Sequence, residues 1–247
     1  MNPKVVPYAE RPEINRERWD QINPWPVFMD QDNTCNTMWH HLEEEFVDFQ
    51  FYILDQDTDE VLCQANTIPF RWSGDPADLP DGVDGVLPLA VAQHDEGTAP
   101  NTLCALQAIV TAKNRGKGLA EMLLEGMRDL GVRRGFGALV APVRPTSKHL
   151  YPLTSMQNYA AWTRPDGLPF DPWIRIHARM GGEILQVCPG SMHISGPVGD
   201  WESWTGMRFP ETGAYVVAEA LVPVLIDRER DLGTYVEPNL WMRHPLL

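Results

Sequence analysis

The chain has 247 residues, with 20 Lys and Arg against 34 Asp and Glu and a formal net charge of −14. That balance excludes a general nucleic-acid or anionic-membrane binder, because both need a basic surface to meet phosphates. A hydrophobic fraction of 43%, a charged fraction of 22% and a mean hydropathy of −0.29 are those of an ordinary globular chain and argue against extended disorder.

No run reaches the roughly 18 apolar residues that a membrane span needs, and the N-terminus lacks an apolar leader. Cys35, Cys63, Cys104 and Cys188 are widely spaced, with no C-x-x-C pair. Reduced thiols, no metal and a cytoplasmic location are therefore expected.

Residues 1–30 hold five prolines and few periodic apolar positions, so they read as an arm wrapping a core. Met38, Leu42 and Phe46 at helical spacing predict a short helix over 34–46. Phe49 to Leu54 and Val61 to Phe70, separated by a polar cluster, predict an antiparallel hairpin. The stretch Ser73 to Asn101 reads as loop, with a short strand around Val86 to Val91. Leu103 to Thr111 is an apolar run suited to a strand buried on both faces. It is followed by Lys113-Asn114-Arg115-Gly116-Lys117-Gly118, and then by Leu119, Met122, Leu123, Met127 and Leu130 on one helical stripe. A strand over 138–143 completes a β-turn-α-β unit. Tyr159 to Trp162 and Asp171 to Met180 predict further helices, the second capped by Asp171, started by Pro172 and stopped by Gly181-Gly182. Glu183 to Val187, Met192 to Ile194 and Ala214 to Ile226 supply the last strand candidates.

The glycine turn is the chemically informative feature. Gly116 and Gly118 let a ligand approach the backbone where the free amides of a first helical turn point outward. Lys113, Arg115 and Lys117 reverse the charge of an acidic chain at that one place, which favours an anionic ligand. A solvated basic turn is the plain alternative. The pattern is neither a Walker loop nor a dinucleotide fingerprint, which needs a third glycine.

The run Val110 to Leu124 resembles the acyl-CoA-binding motif of the GCN5-related N-acetyltransferase (GNAT) superfamily, in which a strand leads through Gln/Arg-x-x-G-x-Gly/Ala into a helix. Lys113 stands where Gln or Arg is common. The resemblance implies an α/β (α+β) fold with a mixed, largely antiparallel central sheet flanked by helices. Here that domain would span 1–247, with an N-terminal arm over 1–30, the acyl-CoA motif over 102–143 and a C-terminal extension over 197–247. It further implies that the turn from Lys113 through Asn114, Arg115, Gly116, Lys117 and Gly118 to Leu119 binds the coenzyme A pyrophosphate, with Ile109 and Val110 along pantetheine and the acyl carbonyl. Many members end a later helix in Tyr-x-x-x-Gly-Phe, whose tyrosine protonates the departing thiolate. In Ile174 to Gly182, His177 occupies the tyrosine's place and Gly182 the aromatic's, and both are departures.

His177 remains chemically able to donate a proton; a histidine satisfied by a core hydrogen bond is the alternative. His40-His41 and His94-Asp95-Glu96 are weaker candidates for a metal site and a base. Cys104 reads as a buried small side chain, and Trp201 and Trp204 as core or as pocket wall. Arg144 and Thr146 fall at the cleft side of the sheet. The expected activity is transfer of an acyl group from acetyl-CoA or another acyl-CoA to a small-molecule amine, without metal, nucleic acid or membrane. A homodimer is left open. The rival readings are malonyl-CoA decarboxylation or S-acyl transfer, and a non-catalytic acyl-CoA-binding domain.

Overall fold

The computed structural model describes residues 1–246, so Leu247, the last residue of the expected extension, lies outside the described residues. The strands are β1 (Pro3–Pro7), β2 (Gln50–Asp55), β3 (Glu60–Phe70), β4 (Thr102–Val110), β5 (Ala138–Val143), β6 (Glu183–Gly196), β7 (Gly213–Tyr215), β8 (Val224–Asp227) and β9 (Leu232–Pro245). The helices are α1 (Glu13–Ile22), α2 (Asn33–Met38), α3 (His40–Glu43), α4 (Gly82–Asp95), α5 (Leu119–Arg133), α6 (Met156–Ala160), α7 (Pro172–Arg179) and α8 (Val198–Thr205). The strands form a nine-stranded sheet in the order β1-β2-β3-β4-β5-β9-β8-β7, with β6 along the other edge of β9. β4 and β5 run parallel and the remaining pairs antiparallel. This is the mixed, largely antiparallel sheet that the resemblance implied.

The parallel pair is joined by the glycine turn and α5. Gly116 and Gly118 adopt φ of 76° and 77°, a region that costs an L side chain about 1–2 kcal/mol and glycine almost nothing. Leu119, Leu123, Leu124, Met127 and Leu130 of α5 then bury against Ile53, Leu62, Leu103 and Leu139 of the sheet and Ile174 of α7. On the opposite face Val83, Val86, Leu87 and Ala90 of α4 pack with Ile68, Phe70, Cys104, Val140 and Trp241.

Pairing between β4 and β5 covers only Thr102–Cys104 against Ala138–Val140. Beyond it, Asn66 faces Gln107 while Thr67 faces Ala105, so Leu106 is an extra residue on β4, and a bulge of this kind bends its strand. Pro142 in β5 has no N–H to offer a ladder. The strands therefore part, and the β5-facing edge of β4 is left without a strand partner from Ala105 to Val110. A second opening lies along β9. On one edge it meets β8 up to Thr234 and β5 from Leu240 onward, leaving residues 235–239 unpaired on that side. The two openings adjoin at the end of β5.

Several expectations are corrected. The arm contributes β1, paired antiparallel to β2, and α1, whose Ile14 and Ile22 are buried with Tyr8, Tyr52 and Ile109. The helix expected over 34–46 is broken into α2 and α3 at Trp39. The strand expected at 86–91 is part of a 14-residue helix, α4. Its apolar positions fall at i, i+3, i+4 and i+7, and its internal Pro88 is exposed, so the ring stays clear of the core. The short helix near Tyr159 starts earlier, at Met156. β6 runs unbroken through a bulge between Cys188 and Met192. β9, with 14 residues the joint longest strand of the sheet, was not anticipated.

Asp171 fastens this architecture below the cleft. Its buried carboxylate accepts from the amides of Thr146 and Ser147 after β5, from Trp173 and Ile174 at the start of α7, and from the Tyr159 hydroxyl of α6 at 2.8 Å. Replacing it orphans donors from three segments. Asp171→Ala is expected to lower unfolding free energy by about 3–5 kcal/mol, a cap plus further charge-assisted bonds, as read by urea denaturation.

Candidate active site

Two cavities meet where the strands part. The larger, of about 730 Å³, runs from the glycine turn along the free edge of β4 and is lined by Arg115, Gly116, Gly118, Leu119, Ala105 to Val110, Ala141 to Arg144, Trp173, Ile176 and His177. The smaller, of about 430 Å³, lies beyond the end of β5. Trp25, Leu106, Gln107, Pro142 and Arg144 line both, so the cavities adjoin at a short wall of shared residues.

At the turn, the amides of Arg115 to Gly118 donate to no protein acceptor among the described residues, and the N-terminus of the 15-residue α5 follows directly. Free amides and the helix dipole together make an anion site. The remaining turn residues are used differently. The Asn114 amide is spent on the Thr111 carbonyl at 2.9 Å, and its buried side chain bonds Glu60 and Thr111. Lys117 Nζ reaches Asn114 Oδ1 at 2.7 Å, and Lys113 Nζ lies 3.2 Å from Glu60. Lys113, Asn114 and Lys117 thus brace the turn from behind, while Arg115, Gly116, Gly118 and Leu119 face the cavity. Ile109 and Val110 line it as well.

Where the cavities meet, Arg144 Nε donates to both oxygens of Glu237 at 2.9 and 3.1 Å, and Nη2 donates to the Glu219 carbonyl at 2.7 Å. Glu237 is 1% exposed and also accepts from the Tyr235 hydroxyl at 2.9 Å and Asn239 Nδ2 at 3.2 Å. Burial opposes the Arg144 charge, but the Glu237 carboxylate more than offsets it and the guanidinium stays protonated. Trp25 of the arm lies over that guanidinium, 5.8 Å from ring centroid to Cζ. Gln107 differs from these groups. It is buried, faces both cavities, and its Oε1 has no hydrogen-bond partner.

The smaller cavity is walled by Trp19, Trp25 and Trp39, with Asp30, Cys35, Asn36, Met192, Glu237 and Asn239. Aromatic faces beside carboxylates suit a cationic guest. None of these residues was singled out from the sequence. Gln107 did leave a signal, as the single polar residue in the run Leu103 to Val110; the others come from the arm, α2, β6 and β9, where spacing says nothing of proximity.

His177 sits on the wall of the larger cavity with Trp173 edge-on at 4.3 Å. Its Nδ1 lies 2.9 Å from His244 Nε2, while its own Nε2 has no partner. Burial, and then the neighbouring His244, push its pKa down to about 3; burial, and then Arg128, push that of His244 down to about 4. Both rings are neutral at neutral pH, which corrects the expected imidazolium: His177 can donate only in the tautomer that carries hydrogen on Nε2. Tyr159 is committed to Asp171. Trp201 and Cys104 are fully buried in core clusters, and His94 packs edge-on against Phe46 away from both cavities. Trp204 packs against the Trp201 cluster, and Thr146 lines the larger cavity.

The histidine pair gives stability a defined pH dependence. Unfolded, both rings bind a proton near pH 6.5, whereas folded they resist protonation until well below that. Their contribution is complete above about pH 6.5 and is lost as the pH falls from there toward about 4. The Tm is expected to drop across this window in the parent chain, and to drop less in His177→Gln, which has no ring to protonate, as followed by scanning calorimetry.

No family model matches the chain. It is 31% identical over 269 residues to the arginine N-acetyltransferase avaD of Aspergillus versicolor, with 96% of this chain and 92% of that protein covered. Among solved structures, it superposes on the loading GNATL domain of CurA from Lyngbya majuscula with a TM-score of 0.61 at 15% identity, covering 100% of this chain and 98% of that one. The GphF GNAT-like decarboxylase in complex with isobutyryl-CoA gives a TM-score of 0.57 at 14% identity, with both chains covered completely. The glycine turn, the parted strands and the full-length similarity to an N-acetyltransferase agree: the chain belongs to the GCN5-related N-acetyltransferase superfamily and is an acyltransferase.

Proposed function

We propose that the protein acetylates the amine of a small cationic molecule of the arginine type, using acetyl-CoA as donor. The observation that carries this reading is the meeting of an anion-binding cleft and an aromatic, carboxylate-bearing cavity at Gln107 and Arg144. Coenzyme A would lie with its pyrophosphate on the amides of Arg115 to Leu119 and its pantetheine along the free edge of β4, past Val110 and Ile109. Trp19, Trp25 and Trp39, with Asp30, would hold the acceptor's cationic end. The acceptor nitrogen would then reach the thioester beside Gln107, whose unpartnered Oε1 suits an amine N–H.

In the reaction, nitrogen bonds to the acyl carbon, the C–S bond breaks, and the amine's proton leaves to solvent or to a water held at Gln107. His177, with its hydrogen on Nε2, would donate a hydrogen bond to the departing thiolate and stabilise its charge, the thiolate taking its proton from solvent. Glu237 is poorly placed to act as a base, because Arg144, Tyr235 and Asn239 occupy its oxygens. Its part is to hold Arg144, and through it Trp25, in position.

The decarboxylase reading shares the donor cleft but leaves the cavity of about 430 Å³ without a use, since malonyl-CoA needs no acceptor. Mass spectrometry distinguishes the two. Acetyl-CoA with L-arginine and other guanidino amines is expected to yield the acetylated amine and free thiol, with thiol appearing only when the amine is present. Conversion of malonyl-CoA to acetyl-CoA in the absence of amine would overturn the proposal. His177→Phe is expected to lower kcat at least tenfold with KM for acetyl-CoA within a few fold; unchanged kcat would remove His177 from the mechanism. Gly118→Val should weaken acyl-CoA binding at least tenfold by calorimetry, through the strain of a φ of 77°, since a Cβ there meets no neighbour.

A further inference from the structure

Beside the smaller cavity, where α2 packs against α4, the structure gathers groups that acyl transfer does not use. One carboxylate oxygen each of Asp32 and Asp84 and the Cys35 Sγ lie within 4.8 Å of one another. Asp32 is 0% exposed. Its Oδ1 caps α2 by accepting the Cys35 amide at 2.8 Å, but Oδ2 meets no donor. Asp84 is arranged alike: Oδ2 accepts the His193 amide at 2.8 Å, and the buried Oδ1 meets no donor. Among the described residues no lysine or arginine pairs with either carboxylate. The half-exposed His193 ring lies beside Asp84, with Nδ1 3.4 Å from Oδ2, just outside that group and able to turn toward it.

Two neighbouring carboxylates withdrawn from water, each with an oxygen that no donor reaches, are costly unless a positive charge joins them. We propose that Asp32, Cys35 and Asp84 bind a divalent transition-metal ion of the zinc type, with the His193 imidazole as fourth ligand. A proton shared between the carboxylates, with the Cys35 thiol donating to Asp32, is the rival arrangement that the test below separates from a metal ion. A sulfur, an imidazole and two carboxylates form a borderline-soft set that suits zinc and its neighbours better than magnesium or calcium. Bonds of about 2.0–2.3 Å are reached from this spread by side-chain rotation. The ion would tie α2, α4 and β6 together, segments remote in sequence that form one wall of the smaller cavity, which Cys35 itself lines. Its role is to hold that wall, and no step of acyl transfer runs through it.

The test uses the full chain, stripped with a chelator and titrated with Co²⁺, whose thiolate complexes show a charge-transfer absorption band. One equivalent per chain is expected, with a thiolate band that Zn²⁺ displaces and a higher Tm in either metal. Cys35→Ser should abolish the band, and Asp84→Asn, which removes a direct ligand, should weaken binding by more than the roughly 10–100-fold that loss of an outer-shell partner costs. Asp84→Asn leaves the cap of α2 intact and so serves even where Asp32→Asn does not fold. Cobalt bound without a thiolate band, as at the exposed His40 and its half-buried neighbour His41, would overturn the proposal. So would an unchanged band in Cys35→Ser. A metal-free Asp84→Asn chain more stable than the parent, combined with no effect of Zn²⁺ on the parent, would identify a shared proton instead and refute the site.

Discussion

The parting of β4 and β5 is the constraint on which the rest of the structure depends. Two strands that stayed paired to their ends would exchange all their amides and carbonyls and leave no room between them. Here the ladder stops at Cys104 and Val140, and β4 continues to Val110 with one edge unpaired. Unpaired backbone away from water is expensive, so such an edge is retained where something else satisfies it. An extended ligand carrying amides, as pantetheine does, can complete the ladder that β5 abandons. The bulge at Leu106 and the proline at 142 are the local causes of the separation. They lie on the two walls of the same opening, which is why Leu106, Gln107 and Pro142 line both cavities.

Opening a sheet near its middle also threatens its stability, and the buried polar network around Arg144 answers that. Arg144 stands just past β5, Glu237 on β9 and Glu219 on the segment before β8. Their hydrogen bonds bridge the gap that strand pairing leaves between residues 235 and 239. An ion pair of this kind adds little over an apolar contact of equal volume, but removing one partner leaves a buried charge and costs about 3–5 kcal/mol. The network thus fixes geometry more than it adds stability. The guanidinium it holds lies under Trp25, which brings the N-terminal arm into the wall of both cavities.

The sequence made the donor half of the site legible because its signals are local. Gly116, Gly118 and the stripe from Leu119 to Leu130 carry a turn and a helix within 20 residues, and the charge reversal at Lys113, Arg115 and Lys117 marks the same place. Even there, spacing could not say that Lys113 and Lys117 turn to Glu60 and Asn114 while Arg115 faces the cleft. The acceptor half was illegible for a physical reason. β9 buries Glu237, Asn239 and His244, polar residues that a two-residue alternation assigns to solvent; Glu237 and His244 meet Arg144 and His177 from elsewhere in the chain, and Asn239 bonds Glu237 and the Pro238 carbonyl. α4 was hidden by Gly82, Gly85 and Pro88, which read as punctuation. Its apolar stripe outweighs them because β3 and β6 supply a surface to bury it on.

The same contrast bears on how chemistry is distributed in such a chain. The proposed pyrophosphate site, made of backbone amides, would depend on conformation and tolerate changes of side chain provided two glycines keep their positive φ. The smaller cavity depends on side chains drawn from the arm, α2, α4, β4, β6 and β9, of which α2, α4, β6 and β9 contribute nothing to the lining of the larger one and can change the smaller cavity's shape or charge on their own. Transfer still requires the amine to meet the thioester, and the route between the two cavities runs through Gln107, Arg144 and Trp25. The first belongs to the donor strand and the last to the arm, with Arg144 held between them by β9. On the proposed function, acceptor choice would turn on these side chains, with Arg144 held by Glu237, and not on the glycine motif that first points to the fold.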